Sequence, residues 1–218
     1  MIEFWQYALN NLDRVQQLSL EHLSLVGISL GIALVIGIPL GILATQYRKL
    51  SSLVLNLVSL IYTIPSLAMF GLLLPLIGMG SRSAITALSL YSLLPIVQNT
   101  YVGITNIDQS VFLAAEGMGM SRMQILFKIE LPLAISVIFA GIRTATVNCI
   151  GITTIAAFIG AGGLGMLVFR GLSSISLRQI LLGSIPVLLM AMLADWLLKR
   201  LENRLALAER LKKRQAVS

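Results

Sequence analysis

The chain has 218 residues, 57% of them hydrophobic and 11% charged, with a mean hydropathy of +0.91 and a net charge of +7. This balance excludes an ordinary soluble globule and points to an all-α integral membrane protein. The excess positive charge does not indicate nucleic acid, because seven of the sixteen basic residues lie in the last twenty positions, directly after an apolar span. There they favour the cytoplasmic side and contact with anionic membrane lipid.

In chain order, residues 1–19 place Phe4, Trp5, Ala8, Leu12 and Val15 at helical spacing among Glu3, Asp13 and Arg14, which predicts an interfacial helix. The start is polar and mixed, without the basic stretch and apolar core of a cleavable signal. Leu23–Ala44 is the first predicted span, with Arg48 and Lys49 anchoring its end. Leu53–Ile77 holds Pro65 and Pro75 and reads as one kinked helix, because it is too short for two crossings. Ala84–Ile104 is the third span, Leu133–Ile159 the fourth and Ile180–Leu198 the fifth. Between the last two lie a glycine-rich turn and a short amphipathic piece reaching Leu172. The expected organisation is an N-terminal interfacial helix (1–19), a membrane domain (20–199) with a cytoplasmic loop (106–132), and a basic cytoplasmic tail (200–218).

About five spans put the termini on opposite sides. With the N-terminus outside and the C-terminus in the cytoplasm, the inner segments carry eleven basic residues and the outer ones four. The loop from Leu113 to Pro132, LAAEGMGMSRMQILFKIELP, then faces the cytoplasm. Glu116, Arg122, Lys128 and Glu130 prevent it from lying in hydrocarbon. Asp108 can cap a helix that stops at Gly117 or Gly119, Ser121 with Gln124 forms a capping box for a second helix, and Pro132 is expected to end that one by disfavouring α geometry at Leu131. The reading is helix, glycine hinge, helix: a slim docking surface formed by Ala114, Ala115, Glu116, Gly117, Gly119, Ser121 and Arg122.

Polar residues inside spans are the candidates for a solute path: Tyr62, Pro65 and Ser66 at the kink, Tyr91, Asn99, Arg143, Thr144, Asn148 and Thr153. For the hydroxyl residues, helix contact or bonding back to the preceding turn is the competing role. For Arg143 it is snorkelling to the cytoplasmic interface. Gly160, Gly162, Gly163 and Gly165 are candidates for an outer gate. They contain G-x-G-x-x-G, but this follows a membrane span instead of a strand and lacks the acid about twenty residues on, so a dinucleotide site is not expected. The chain has no G-x-x-x-x-G-K-[ST], so any ATP would be used elsewhere. One Cys (Cys149) and one His (His22) cannot assemble a metal site or an internal disulfide. No catalytic residue, metal or bound cofactor is expected.

The loop resembles the coupling loop of ABC-importer membrane subunits, in which Glu-Ala-Ala is followed by three residues, Gly, nine residues and Ile-x-Leu-Pro. Ala114, Ala115, Gly119, Ile129, Leu131 and Pro132 fall in register, while Leu113 stands where that family has its leading Glu, with Glu116 nearby. YTIPSLA from Tyr62, LPIVQNTYVGI from Leu94, GMGMS from Gly117, ELPLA from Glu130, AGIRTAT from Ala140 and FIGAGGLG from Phe158 together resemble permeases of osmoprotectant importers for glycine betaine, carnitine or choline. The resemblance implies a type I ABC importer membrane domain in a bacterial plasma membrane. It also implies a second permease, identical or homologous, and a cytoplasmic ABC ATPase dimer using ATP and Mg. A separate extracellular or periplasmic substrate-binding protein completes the set. Methionine or other amino-acid importers share the five-helix plan and are the alternative. An ion-driven secondary transporter is a second, and would need membrane carboxylates for coupling.

Overall fold

The computed structural model describes residues 2–215, and the side chains of residues 5–47 and 49–206. The side chains of Glu3, Phe4 and Arg48, and those of Arg210, Lys212, Lys213 and Arg214 among the seven basic residues counted in the last twenty positions, lie outside the described residues, as does the chain after Gln215. Helices follow one another as α1 (Ile2–Asn10), α2 (Leu12–Gln46), α3 (Arg48–Thr63), α4 (Ser66–Ile77), α5 (Ser81–Thr105), α6 (Gln109–Gly117), α7 (Arg122–Ile125), a π turn (Leu126–Glu130), α8 (Leu131–Ala156), a 3-10 turn (Ala157–Ile159), α9 (Gly165–Ser173) and α10 (Leu177–Gln215).

Three of these are long and apolar enough to cross a membrane: α2, the continuous run Arg122–Ile159, and Leu177–Ala206. The pair α3–α4 makes a fourth if counted as one span. Helix α5, 25 residues, is about 37 Å long at 1.5 Å per residue, also enough for a bilayer. Its composition is more polar because it occupies the middle of the bundle, where Ser83, Ser89, Ser92 and Thr100 are buried. Ser92 and Thr100 donate to the Leu88 and Ile96 carbonyls one turn back, while Ser89 reaches the Ser29 carbonyl of α2.

Helices α2, α5 and α8 form the centre, α3 packs on α2 and α5, and α10 lies against α8 and α9. Lipid is as apolar as leucine, so association depends on close packing more than on the hydrophobic effect. The sequence supplies the space: a Cβ on Gly41 would stand 2.6 Å from Thr100 Cβ, and one on Gly141 would stand 2.6 Å from the Pro95 carbonyl. Phe70, Leu88, Ile96, Ile125 and Ile159 fill the fully enclosed positions.

Several boundaries differ from the sequence reading. The N-terminal helix stops at Asn10, and residues 12–19, read as part of the interfacial helix, belong to the first long helix instead. Helix α10 runs on through Gln215 and so takes in most of the basic tail. The expected single kinked helix is two, meeting at 99°. Ile64 is extended (ψ 127°) before Pro65, whereas Pro75 sits inside α4 without breaking it. Pro132 does not end its helix either. Leu131 is α-helical (φ −62°, ψ −45°), and its N–H reaches five residues back to the Leu126 carbonyl. Proline removes a donor and crowds the carbonyl four residues back, and one wide π turn relieves both.

Candidate coupling surface and polar break

Helix α6 begins where Asp108 Oδ1 accepts the Ser110 N–H at 2.8 Å, a bond that holds the carboxyl below the usual carboxylate range. It closes at Gly119 in a Schellman turn: Met120 N–H donates to Ala115 O at 3.1 Å and Gly119 N–H to Glu116 O at 2.9 Å. Gly119 takes φ +75°, and the space where its side chain would be is open. Ser121 and Gln124 exchange both capping-box bonds, starting α7.

Of the seven residues read as a docking surface, Ala114, Glu116, Gly117, Gly119 and Ser121 are exposed, but Ala115 is fully buried. Arg122 is exposed as well, yet it reaches back to a buried acid. Its Nη1 stands 3.3 Å from Oε1 of Glu130, which is 2% exposed. That oxygen has a charge partner but no aligned hydrogen bond. The pair lines a cavity of about 270 Å³ behind α6, with Thr45, Gln109 and Phe112. What the sequence reading missed on the outer side is an apolar set: Leu113, Met118, Met123 and Phe127 are each at least 60% exposed.

The second polar centre is the break between α3 and α4. The backbone changes from helical to extended at Ile64, leaving its carbonyl without a helical partner. The Tyr91 hydroxyl of α5 donates to it. Tyr62 stands edge-on to Tyr91, ring centroids 6.0 Å apart at 72°, and Asn148 Nδ2 of α8 donates to the Tyr62 oxygen at 3.1 Å. Tyr62, Pro65, Tyr91 and Asn148 thus come together, with Ser66 opening α4. Thr144, exposed, lies one turn from the half-buried Asn148 on the same face, its hydroxyl bonded back to Ala140.

The other three path candidates are placed elsewhere. Arg143 lies about 140° round α8 from Asn148 at 100° per residue. It faces α10, with Nη1 2.9 Å from Asp195 Oδ1 and Nε 3.0 Å from Glu202 Oε2. It thus joins α8 to α10. Thr153 is buried and donates to the Cys149 carbonyl, and Asn99 donates to Pro95 O where α5 meets Gly141.

At the opposite end, Gly160, Gly162 and Gly163 all have positive φ. Glu21 and His22 of α2 hold this turn. Glu21 Oε2 accepts the Gly163 N–H at 3.0 Å, while the fully buried His22 lies against Gly163 and its Nε2 donates to the Ile150 carbonyl at 3.0 Å. Gly165 begins α9 hard against α8, with no room for a Cβ: the Thr154 carbonyl would be 2.0 Å away. Neither Glu21 nor His22 could be singled out from the sequence, because their partners are more than a hundred residues away.

A bundle of membrane-length helices with a polar break at its middle and a capped, exposed turn at one end defines a multi-pass membrane transport subunit. The chain belongs to the binding-protein-dependent transport system inner membrane components, whose family model matches residues 37–207. It is 44% identical over 201 residues to the osmoprotectant import permease protein OsmW of Salmonella typhimurium, covering 90% of this chain and 94% of the relative. It is 48% identical over 175 residues to the glycine betaine/carnitine/choline transport system permease protein OpuCD of Bacillus subtilis, covering 80% and 76%. Among solved structures, the MetNI methionine ABC transporter in inward-facing conformations superposes with a TM-score of 0.80 at 21% identity, over 88% of this chain and 95% of that one. An amino acid ABC transporter with histidines gives 0.76 at 16%, over 90% and 96%. At those identities the likeness concerns the fold, which is that of an ABC importer membrane subunit in the cell membrane.

Proposed function

We propose that the chain is the permease of an ATP-driven importer for a small quaternary ammonium solute such as glycine betaine, carnitine or choline. The observation that carries this reading is the 38-residue helical run Arg122–Ile159, which joins the exposed turn to the Asn148–Tyr62–Tyr91 cluster at the broken helix. A push received at Gly119 by a docked partner travels along that run to the level where the solute would pass. The names of the relatives support the solute class, and so does the chemistry of the cluster. A trimethylammonium group has no N–H to donate, and it meets aromatic rings and neutral dipoles here with no carboxylate to hold it back. The Asn148–Tyr62 bond is neutral and worth about 0.5–1.5 kcal/mol, so it can open and close in every cycle.

In this reading the chain crosses the membrane five times, with its N-terminus outside and its basic C-terminus in the cytoplasm among anionic lipid headgroups. A second permease completes the path. A cytoplasmic ATPase dimer docks on Leu113, Gly117, Met118, Gly119 and Met123 and uses ATP and Mg, this chain having no ATPase site of its own. A substrate-binding protein delivers solute at the glycine turn from Gly160 to Gly165. The test is uptake of labelled glycine betaine and choline by the reconstituted complex in sealed vesicles. Uptake that needs ATP on the ATPase side and survives collapse of ion gradients supports the reading. Uptake that follows a sodium or proton gradient without ATP overturns it.

A further inference from the structure

Helix α3 divides its surface three ways. Ser51, Val54 and Val58 are buried against α2 and α5. Leu53, Leu57 and Leu60 are exposed on one flank, each more than half open, as a lipid-facing surface would be. Between those leucines and Tyr62, at 100° per residue, run Ser52, Asn56, Ser59 and Thr63, all exposed. Asn56 Nδ2 donates to Ser52 Oγ at 3.3 Å, and Thr63 bonds back to Leu60 O at 2.7 Å. The stripe climbs eleven residues, about 16 Å or half the hydrocarbon thickness. It ends at the break, beside the Tyr62–Asn148 bond. Past the break the character changes, and the large exposed side chains of α4 are Leu67, Leu72, Leu76 and Ile77.

Amide and hydroxyl groups turned outward over half a membrane helix are costly against lipid, while the leucines beside them are suited to it. Thr144 and Asn148 continue the polar surface across to α8. We infer that Ser52, Asn56, Ser59 and Thr63 are wet: they wall the half of the solute path between the Lys49 end of α3 and the break, as a water-filled vestibule. The stripe offers dipoles but no fixed charge, so it lets a small hydrated cation or zwitterion pass without retaining it. This rests on the proposed reading of the chain as a solute permease, though not on which solute is carried.

The test uses cysteine replacements in the complete complex. Ser52→Cys, Asn56→Cys and Ser59→Cys are compared with Leu53→Cys, Leu57→Cys and Leu60→Cys in inside-out vesicles. The wild type sets the background through Cys149, which is 1% exposed. The probe is trimethylammonium-ethyl methanethiosulfonate, a membrane-impermeant reagent that attacks only thiolate, a species that water supports and hydrocarbon does not. Because serine and cysteine are nearly the same size, the two serine replacements keep the helix intact even if Asn56→Cys does not. The expected result is reaction at the stripe at least about tenfold faster than at the leucines. Equal rates on both faces overturn the inference. So does an unreactive stripe in which Asn56→Cys cross-links two copies, because the stripe would then be a dry subunit contact. Uptake measured on the same complexes separates this result from the function. If the wild type imports no quaternary ammonium solute while the labelling pattern holds, the solute assignment falls and the vestibule stands. If uptake is normal but leucine positions react as fast as serine positions, only the vestibule falls.

Discussion

Pro65 and Pro132 carry the same local instruction, a missing donor and a bias against helix at the preceding residue, and the chain answers it in opposite ways. At Pro65 the helix ends, the direction changes by 99°, and the freed Ile64 carbonyl is taken by the Tyr91 hydroxyl. At Pro132 the helix widens for five residues and carries on. What differs is the surroundings. The Pro65 site has a neighbouring side chain able to satisfy the loose carbonyl, whereas the Pro132 site satisfies its backbone within its own helix. The first arrangement yields a joint beside a polar cluster, and the second a continuous rod from the exposed turn to that cluster.

If the rod is the stiff partner, its packing should tolerate least. Gly141→Ala puts a methyl 2.6 Å from the Pro95 carbonyl and 2.6 Å from Asn99 Cβ, so α8 must leave α5. It should destabilise the complex by about 3 kcal/mol, the upper end for overpacking. Gly71→Ala in α4 meets nothing within 4 Å and should fall within about 1 kcal/mol of wild type. Thermal unfolding in detergent compares the two, and equal losses would remove the distinction between rod and joint.

The joint is tested next. Tyr91→Phe leaves the Ile64 carbonyl without its donor, at a cost of about 1–3 kcal/mol, and should lower uptake as well as thermal stability. A variant with wild-type stability and uptake would mean that the break holds its angle without that bond.

Arg143→Gln probes the attachment of the rod to α10. The Arg143–Asp195 and Arg143–Glu202 pairs are partly solvent-exposed, so the expected loss is only about 1 kcal/mol. Because the guanidinium faces α10 and not the cluster, uptake of a zwitterionic betaine and of cationic choline should fall in the same proportion, normalised to ATP hydrolysis. A selective loss of zwitterion uptake would return Arg143 to the path.

These contrasts also mark what the sequence could reveal. The exposed turn was legible because its signals are local: Asp108 bonds two residues on, Ser121 and Gln124 are three apart, and Gly119 closes a turn within six residues. The place of the joint was legible from Pro65 but its sharpness was not, since the Ile64 carbonyl is taken by Tyr91, 27 residues away. Nor was the role of Arg143, whose partners are 52 and 59 residues away on α10. The inward turn of Ala115 depends on tertiary packing in the same way. Polar type alone grouped Asn99, Thr153 and Arg143 with Tyr62 and Asn148, while the helical phase separates them.

The smallest effect expected is at the foot of the rod. The folded-state pKa of Asp108 is depressed by the Ser110 N–H, so its contribution is present above the unfolded carboxylate range and is lost as pH falls through the folded value. Local protection of the α6 amides from hydrogen exchange should weaken in acid for the wild type and show no such step in Asp108→Asn. An identical acid dependence in both would remove the cap from the account.

The central claim is that force enters at Gly119 and reaches the cluster through α7 and α8. It is tested most directly by the number of solute molecules imported per ATP hydrolysed in the reconstituted complex. Gly119→Leu fills open space on the surface proposed for docking, at a φ of +75° that costs a side chain about 1–2 kcal/mol. Gly71→Leu fills open space on α4 and serves as the control. The account predicts that the ratio collapses in Gly119→Leu, with membrane insertion intact, and is unchanged in Gly71→Leu. A wild-type ratio in Gly119→Leu, with the ATPase still associated, would contradict it.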